Sequence, residues 1–569
     1  MEEHRTEDAS GSQGPATREL VDFILQRQAS MEQEKGPWIS TWEEIMEMIL
    51  PNYVSTLRNL TDPGKRGDHK IFNGHGNWAL HTLTRGLLGH TVTASKDWFY
   101  AMQTDRHIRL DYSVQNYARD VVEAMHEIYR RSNFYYMNEE YVRNCAAIGT
   151  TTMLIQKNHH KRGDVVFSAR HIGEIFIDED NFENIDTQHR KFYWSPRQLI
   201  QAFGRENMPK EIVQRDKNNS QKKDIPVIHA MYPNYEQIPG NQSFLGMPVR
   251  SYYVLPSPKR LLAVGGYWTW PAVTWRWEKL SNETMGRGPG FNALVDLLSL
   301  QQISKSNIET AQYAANPPSE IPIEMKGNTK LLPGGKNYYV DPQRGIRKIQ
   351  NNAQYHIGMD QEERRTEIIN RHFMVDIFSM LQQIERMMTA TETERRIGEA
   401  ATKIGPVITR MAKESYTPIH QRVYQLAADM GMIPDMPPVL QDYLGQHGRS
   451  PFEIEYIGSL FRLQKQVYEQ AGFNQFVEQM GAIAQVAPGA AEELGSSINF
   501  RRMSQNLAQS HNLDPLMMNT DEEYAEIKEA IRQQQAALQQ QQQMESMGRA
   551  ANGLNQPARE GSMMEELIG

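Results

Sequence analysis

Residues 286–315 read GRGPGFNALVDLLSLQQISKSNIETAQYAA, and this stretch decides how the rest of the chain divides. Its opening, Gly286-Arg287-Gly288-Pro289-Gly290, interrupts whatever precedes it, because glycine relaxes φ and proline pre-sets the first turn of a helix. The run reads as a hinge. Its glycines could aim backbone amides at a phosphate, but the strand spacing and acidic ribose partner of a dinucleotide site are missing. A helix is predicted over 293–315, and its middle is polar: Gln301, Gln302, Ser304, Lys305, Ser306 and Asn307. Such a helix cannot be a private core helix.

The two sides of this stretch differ in composition. All nine tryptophans fall between Trp38 and Trp277. On that side, apolar residues recurring at three- and four-residue steps predict helices over 18–50, 72–88 and 112–136. Short β-branched and aromatic runs at 165–167, 174–177, 192–194 and 227–232 predict strands, so a mixed α/β body is expected. Beyond the stretch, 317–358 is rich in turn residues, including Pro317, Pro318, Pro333, Gly334, Gly335 and Gly345, and reads as a small β-containing module. Helical periodicity returns at Glu362: Ile369, Phe373, Ile377, Met380, Ile384 and Met387 fall on one face, a single seam for a single packing partner. A bend is expected near Met388, followed by a capping box at Thr389 or Thr391. A helix over 418–430 ends at Gly431, and Pro434, Pro437 and Pro438 read as a linker. Further helices are expected over 460–470, 473–486 and 500–509. A glutamine-rich run follows over 521–547, with Ile527, Ile531 and Leu538 interspersed, and is read as helical.

The 569 residues correspond to roughly three to four structural units at about 150 residues each. The single cysteine, Cys145, forms no intrachain disulfide, and with no CxxC or Cys/His cluster a structural zinc site is unsupported; a small core residue in a reducing compartment is expected. The acidic, polar start, Met1-Glu2-Glu3-His4, implies no export. The apolar run 261–275 is too short to cross a bilayer and is interrupted by Gly265, Gly266 and Pro271. With 61 basic and 69 acidic side chains the formal charge is −8, which argues against a body that grips duplex DNA tightly.

Enzyme signatures fail one by one. Gly335-Lys336 lacks the earlier glycine of a phosphate loop, and Asn337 stands where a magnesium-binding hydroxyl belongs. His159-His160 lies among Lys157, Lys161 and Arg162, cations that oppose a metal ion. Asp178-Glu179-Asp180 with Asp186 lacks calcium-loop spacing and reads as an exposed turn. No catalytic residue, metal site or cofactor is expected. One positive signal remains in the window 321–350, where Lys326, Lys330, Lys336, Arg344, Arg347 and Lys348 face only Glu324 and Asp341. A +4 window in an acidic chain reads either as a solvated loop or as a surface for an acidic partner or passing phosphates.

The order of several blocks resembles the head-to-tail connector, or portal, family of short-tailed, podovirus-type bacteriophages. These blocks are WEEIMEMILP (42–51), Trp98-Phe99, Ser132-Asn133-Phe134 with Gly149-Thr150, and Gly266-Tyr267 through Trp277. GRGPGFNAL (286–294), Asn316-Pro317-Pro318, Pro333-Gly334-Gly335 and MTATETERRIGE (388–399) leading to Gly405-Pro406 complete the set. The resemblance implies an α+β, predominantly helical fold with an α/β wing, helical stem, small β-containing clip and helical crown, assembled as a ring of twelve. It places the N-terminal wing at 1–285, stem helices at 286–316 and 359–381, the clip at 317–358, and a tunnel loop at 382–388. Wing helices follow at 389–455, the crown at 456–548 and a flexible tail at 549–569.

The same resemblance implies a non-enzymatic conduit at one capsid vertex of the virion, assembled in the host cytoplasm, through which double-stranded DNA is packaged and ejected. Its implied partners are terminase, then a tail adaptor, with capsid and scaffolding proteins and no membrane. Arg386, Met387 and Met388 would form the constriction. Gln301, Gln302 and Lys305 would face the channel, and the six basic residues of 321–350 would form the docking surface. A tail adaptor, an internal core protein and a nucleic-acid-processing enzyme remain as alternatives.

Overall fold

Helix α1 (Pro15–Ile49) serves two cores in turn. Its first half buries Val21 and Ile24 against a sheet, and its last turns bury Trp42, Ile45, Met46 and Ile49 in the main core. The computed structural model describes residues 15–53, 70–104, 111–158, 164–380 and 402–461, omitting 221, 242, 328, 330–335, 339–340, 342, 344, 350–354, 449 and 459. The chain divides into a unit reaching Gln470 and a second beginning at Ala471. In the second unit 524, 526–534, 536–537, 540 and 544 are described, all of them helical and exposed.

After α1 come α2 (His75–Thr91), β1 (Phe99–Gln103), α3 (Tyr112–Arg131) and α4 (Phe134–Ile148). Asp111 caps α3 by accepting from the amides of Ser113 and Val114, satisfying donors that the helix cannot. The single helix expected over 112–136 is in fact two. The break is made by a tertiary clamp: Asn133 donates to the Phe167 carbonyl at 2.7 Å and accepts from its amide at 2.9 Å. Such a clamp leaves no trace in helical periodicity.

Three strands, β2 (Thr150–Lys157), β3 (Val165–Arg170) and β9 (Ala272–Arg276), form an antiparallel sheet in the order β3-β2-β9. A second antiparallel sheet runs in sequence order through β4 (Ile175–Glu179), β5 (Ile185–Trp194), β6 (Ile225–Pro233), β7 (Val249–Leu255) and β8 (Arg260–Tyr267). Two short helices, α5 (Pro196–Phe203) and α6 (Lys210–Lys217), cover one face through Leu199, Phe203 and Ile212, while α1 covers the other. Coverage on both faces explains why β6 is apolar at successive positions rather than alternating. The aromatic-rich run 261–275 supplies most of β8 and β9 around a turn, while β1, β2 and β7 escaped the sequence reading.

The glycine run does not act as a hinge. Gly286 donates its amide to Thr150 Oγ1 at 2.8 Å, a Cβ on Gly288 would stand 2.8 Å from the Cys145 carbonyl, and one on Gly290 would stand 2.1 Å from that of Ala147. These glycines let the start of α7 (Pro289–Ala315) cross the end of α4 at backbone contact. Cys145 is wholly buried at this crossing.

A short ladder, β10 (Ser319–Glu320) against β11 (Arg347–Lys348), separates α7 from α8 (Tyr355–His372). Residues 402–410 are helical and continue through a π-helical turn, Met411–Tyr416, into α9 (Thr417–Asp429). Pro438, expected in a linker, instead opens α10 (Pro438–His447), where its missing amide costs nothing. Strand β12 (Phe452–Tyr456) then pairs with β1, matching Phe99 to Tyr456, so two segments far apart in sequence share one core. Trp98 sits at its centre, 4.9 Å from the His420 ring and 5.4 Å from Tyr416. Nearby, Arg276 binds the carboxylates of Glu179 and Glu414 with its side chain 5% exposed. That junction ties β9 to the edge of the larger sheet and to the π-helical turn.

Candidate functional site

Helices α7 and α8 lie antiparallel, with Asp296 bonded to Arg365 at 2.6 Å near one end and Asn307 bonded to Glu362 at 2.8 Å further along. The second stem helix expected over 359–381 differs from this in both extent and continuity. It starts at Tyr355, ends at His372, and resumes over 375–380 after a left-handed Met374 with φ of 53°. The continuous apolar seam is therefore interrupted: Ile369, Phe373 and Ile377 are buried, but on two differently directed segments. Ile384 and Met387 lie outside the described residues.

The polar middle of α7 divides into two faces. Gln301 is buried, and its side-chain carbonyl accepts from the amides of Phe72 (2.7 Å) and Asn73 (3.0 Å) while its amide donates to the Asn73 carbonyl at 2.8 Å. Ser304 and Asn307 donate to the Glu362 carboxylate at 2.6 and 2.8 Å, and Asn73 donates to it at 2.8 Å. Burial alone would raise the Glu362 carboxyl, but these three donors outweigh it and hold it below the usual carboxylate range. Gln301 thus belongs to an internal clasp between the hairpin and the segment preceding α2, and its expected place on a channel face is corrected. Gln302 is turned about 100° away and is exposed, and Lys305, one turn on from Gln301, is exposed with its Nζ 5.7 Å from the Phe72 ring centre.

In the 317–358 module, Lys326, Lys336, Arg347 and Lys348 are all exposed. Arg347 and Lys348 are held side by side by the β10–β11 ladder, and Arg347 also donates to the Gln343 carbonyl at 3.1 Å. Lys330 and Arg344 lie outside the described residues, as do Arg386, Met387 and Met388. The charge count did not reveal the apolar component of this surface: Ile323 is 82% and Tyr338 84% exposed. Large apolar side chains inside a basic, turn-rich window were the available signal.

The carboxylates expected on an exposed turn are instead spread over the end of β4 (Asp178, Glu179), the turn itself (Asp180) and the start of β5 (Asp186), and the first three are occupied by cations and turn amides. Asp178 pairs with Arg27 at 3.1 Å, Glu179 with Arg276 and Lys279, and Asp180 accepts from the amides of Phe182 and Asn184. Lys35 is buried beneath the start of β4, where its ammonium donates to the carbonyls of Ile172 and Ile175. Burial brings its pKa down to about 7 despite the nearby Glu32 and Glu174. These groups organise the body, and their valences are used within it.

What the arrangement offers outward is therefore a hairpin face and a basic, partly apolar tip. The chain belongs to the bacteriophage head to tail connecting protein, or portal, family, whose model matches residues 22–518. This is a family of structural, non-enzymatic virion components. Among its relatives, the "Portal protein" of Salmonella phage epsilon15 is 26% identical over 540 residues, 93% of each chain. The "Probable portal protein" of Bordetella phage BPP-1 is 24% identical over 531 residues, spanning 91% of this chain and 92% of the relative. A solved chain from the virion of a native gene transfer agent particle aligns over 75% of this chain and 94% of its own, at 11% identity and a TM-score of 0.31, a likeness too slight to argue from.

Proposed function

We propose that this chain forms a closed ring of twelve at one capsid vertex, with an axial channel through which double-stranded DNA is packaged and later ejected. The observation that carries the reading is likeness along nearly the whole chain to proteins named as portals, at 91% and 93% coverage. The charge distribution supports it. Each phosphate neutralised by Lys or Arg adds counterion-release affinity, so a densely basic bore would hold the DNA it should pass. The exposed side of α7 instead offers Gln302 with the single cation Lys305, in a chain of net charge −8. On this reading α7 and α8 are the stem, and Gln302 and Lys305 face the channel. The segment 382–388, with Arg386, Met387 and Met388, forms the constriction.

The 317–358 module is the docking tip for terminase and then for a tail adaptor. Lys326, Lys330, Lys336, Arg344, Arg347 and Lys348 present positive charge there, and Ile323 and Tyr338 supply apolar contact. Single-particle imaging of the purified protein, with native mass for stoichiometry, tests the ring. A twelve-fold particle with a duplex-sized axial hole is expected, and a stable closed particle without a channel overturns the reading. Charge reversal at Lys326, Lys330 and Lys336 together is expected to weaken docking while leaving assembly intact. Unchanged docking at low salt removes those lysines from the docking surface.

A further inference from the structure

The break after α8 contradicts what the local sequence favours. Residues 369–380, INRHFMVDIFSM, contain neither glycine nor proline, and Ile369, Phe373, Ile377 and Met380 would form one face of an uninterrupted helix. Yet Met374 adopts φ of 53°, a left-handed conformation that side chains with a Cβ rarely take. The Met374 amide bonds to the Arg371 carbonyl, and the Ile377 amide bonds to the Met374 carbonyl, so each side of the break closes on itself.

The 375–380 turn is held by a tertiary contact. Phe378 is 1% exposed and its ring lies directly over Gly86 of α2, where an added Cβ would stand 2.4 Å from the ring carbons. The His90 ring stacks on it at 6.3 Å. A notch made by the missing Gly86 side chain thus receives Phe378, and Met374 accepts a disfavoured backbone so that the ring can reach it.

We propose that Met374 is the pivot of a two-state switch. In the state seen here, Phe378 occupies the Gly86 notch and the helix is broken. In the other, Phe378 leaves the notch, Met374 returns to right-handed geometry, and 355–380 becomes one helix with a continuous apolar seam. The two states differ in the backbone of one residue and in the seats of Val375, Ile377 and Phe378, all buried here, and anything that competes for the notch shifts their populations. This inference does not depend on the stoichiometry of the ring or on what docks at its tip.

Spin labels at Arg85→Cys and Ser379→Cys, both exposed positions, report the state; native Cys145 is buried and stays unlabelled. Labelled chain is diluted into unlabelled full-length chain so that distances within one copy dominate. The unmodified background is expected to give mainly the short distance. Gly86→Ala, which favours α2 locally but fills the notch, is expected to shift the population to a distance longer by roughly 10 Å, about the length of the swinging turn. Phe378→Ala empties the notch from the other side and is expected to shift it the same way. Adding Met374→Gly, which makes the left-handed backbone easy, is expected to restore the short distance in the Phe378→Ala background. An unchanged distance in both the Gly86→Ala and Phe378→Ala variants overturns the switch. A long population that Met374→Gly leaves untouched overturns Met374 as its pivot.

Discussion

The region around Trp98 and the α7–α8 hairpin spend their polar groups in opposite ways. Around Trp98, ionic groups are folded inward: Arg276 is 5% exposed and bridges Glu179 and Glu414, and His420 is buried with its Nδ1 on the Tyr129 hydroxyl at 2.8 Å. Along the hairpin, one polar face closes an internal clasp and the other is left in solvent. The body consumes its valences internally, whereas the hairpin leaves Gln302 and Lys305 exposed and the tip beyond it leaves Lys326, Lys336, Arg347 and Lys348 exposed. Position around one helix makes the difference, since Gln301 and Gln302 are adjacent in sequence yet about 100° apart around the axis.

The contrast can be broken most forcefully at Arg276. Arg276→Ala removes the cation shared by Glu179 and Glu414, which keep Lys279 at 3.0 Å and Arg410 at 3.4 Å, and the expected loss is about 2–3 kcal/mol of body stability. Denaturant titration followed by tryptophan fluorescence reads it, since every tryptophan precedes residue 278. A loss below about 1 kcal/mol would show that the junction is replaceable.

Acid should act next, and on the body. Burial depresses His171 to about 4, with Lys35 adding to the effect, and His189 to about 3, with Arg27 adding to it. The unfolded chain takes up these protons near pH 6.5 while the folded chain resists, so stability is complete above about 6.5 and falls as pH drops towards 4. The expected slope approaches about 1.4 kcal/mol per pH unit for each such histidine. Urea midpoints measured from pH 7 to pH 4.5 test this, and His171→Gln should flatten the fall. A pH-independent midpoint over that range would contradict the buried, neutral assignment.

A finer comparison sets two neighbouring glutamines against each other. Gln301→Ala strands the amides of Phe72 and Asn73, and a cost of about 1–3 kcal/mol is expected, seen as faster hydrogen exchange at 72–75 and along α7. Gln302→Ala removes an exposed side chain and is expected to stay within about 0.5 kcal/mol of the parent. Equal effects would erase the distinction between the clasp face and the free face.

Much of the organisation was legible in the residues. Periodicity located α1, α2, α7 and α9, alternation and β-branching located β3 to β6, and the ordered blocks led to the family, because these signals are local and survive without knowledge of partners. Burial of Cys145 followed from its apolar neighbours. Some features were invisible because their causes lie far away in sequence. Asn133 ends α3 through Phe167, Gly288 and Gly290 are required by the carbonyls of α4, and Gln301 is buried by the backbone at 72–73.

By itself the sequence determined the class of fold, the family, the helical character of α7 and the positive charge of 321–350. Each of these depends on residue type, spacing and order. Only the tertiary structure decided which side of a polar helix is spent internally, whether a glycine run bends or packs, and where the helix after Glu362 stops. Those outcomes turn on a second surface arriving at a given face, and contacts such as Phe378 in the Gly86 notch can outweigh what the local residues prefer.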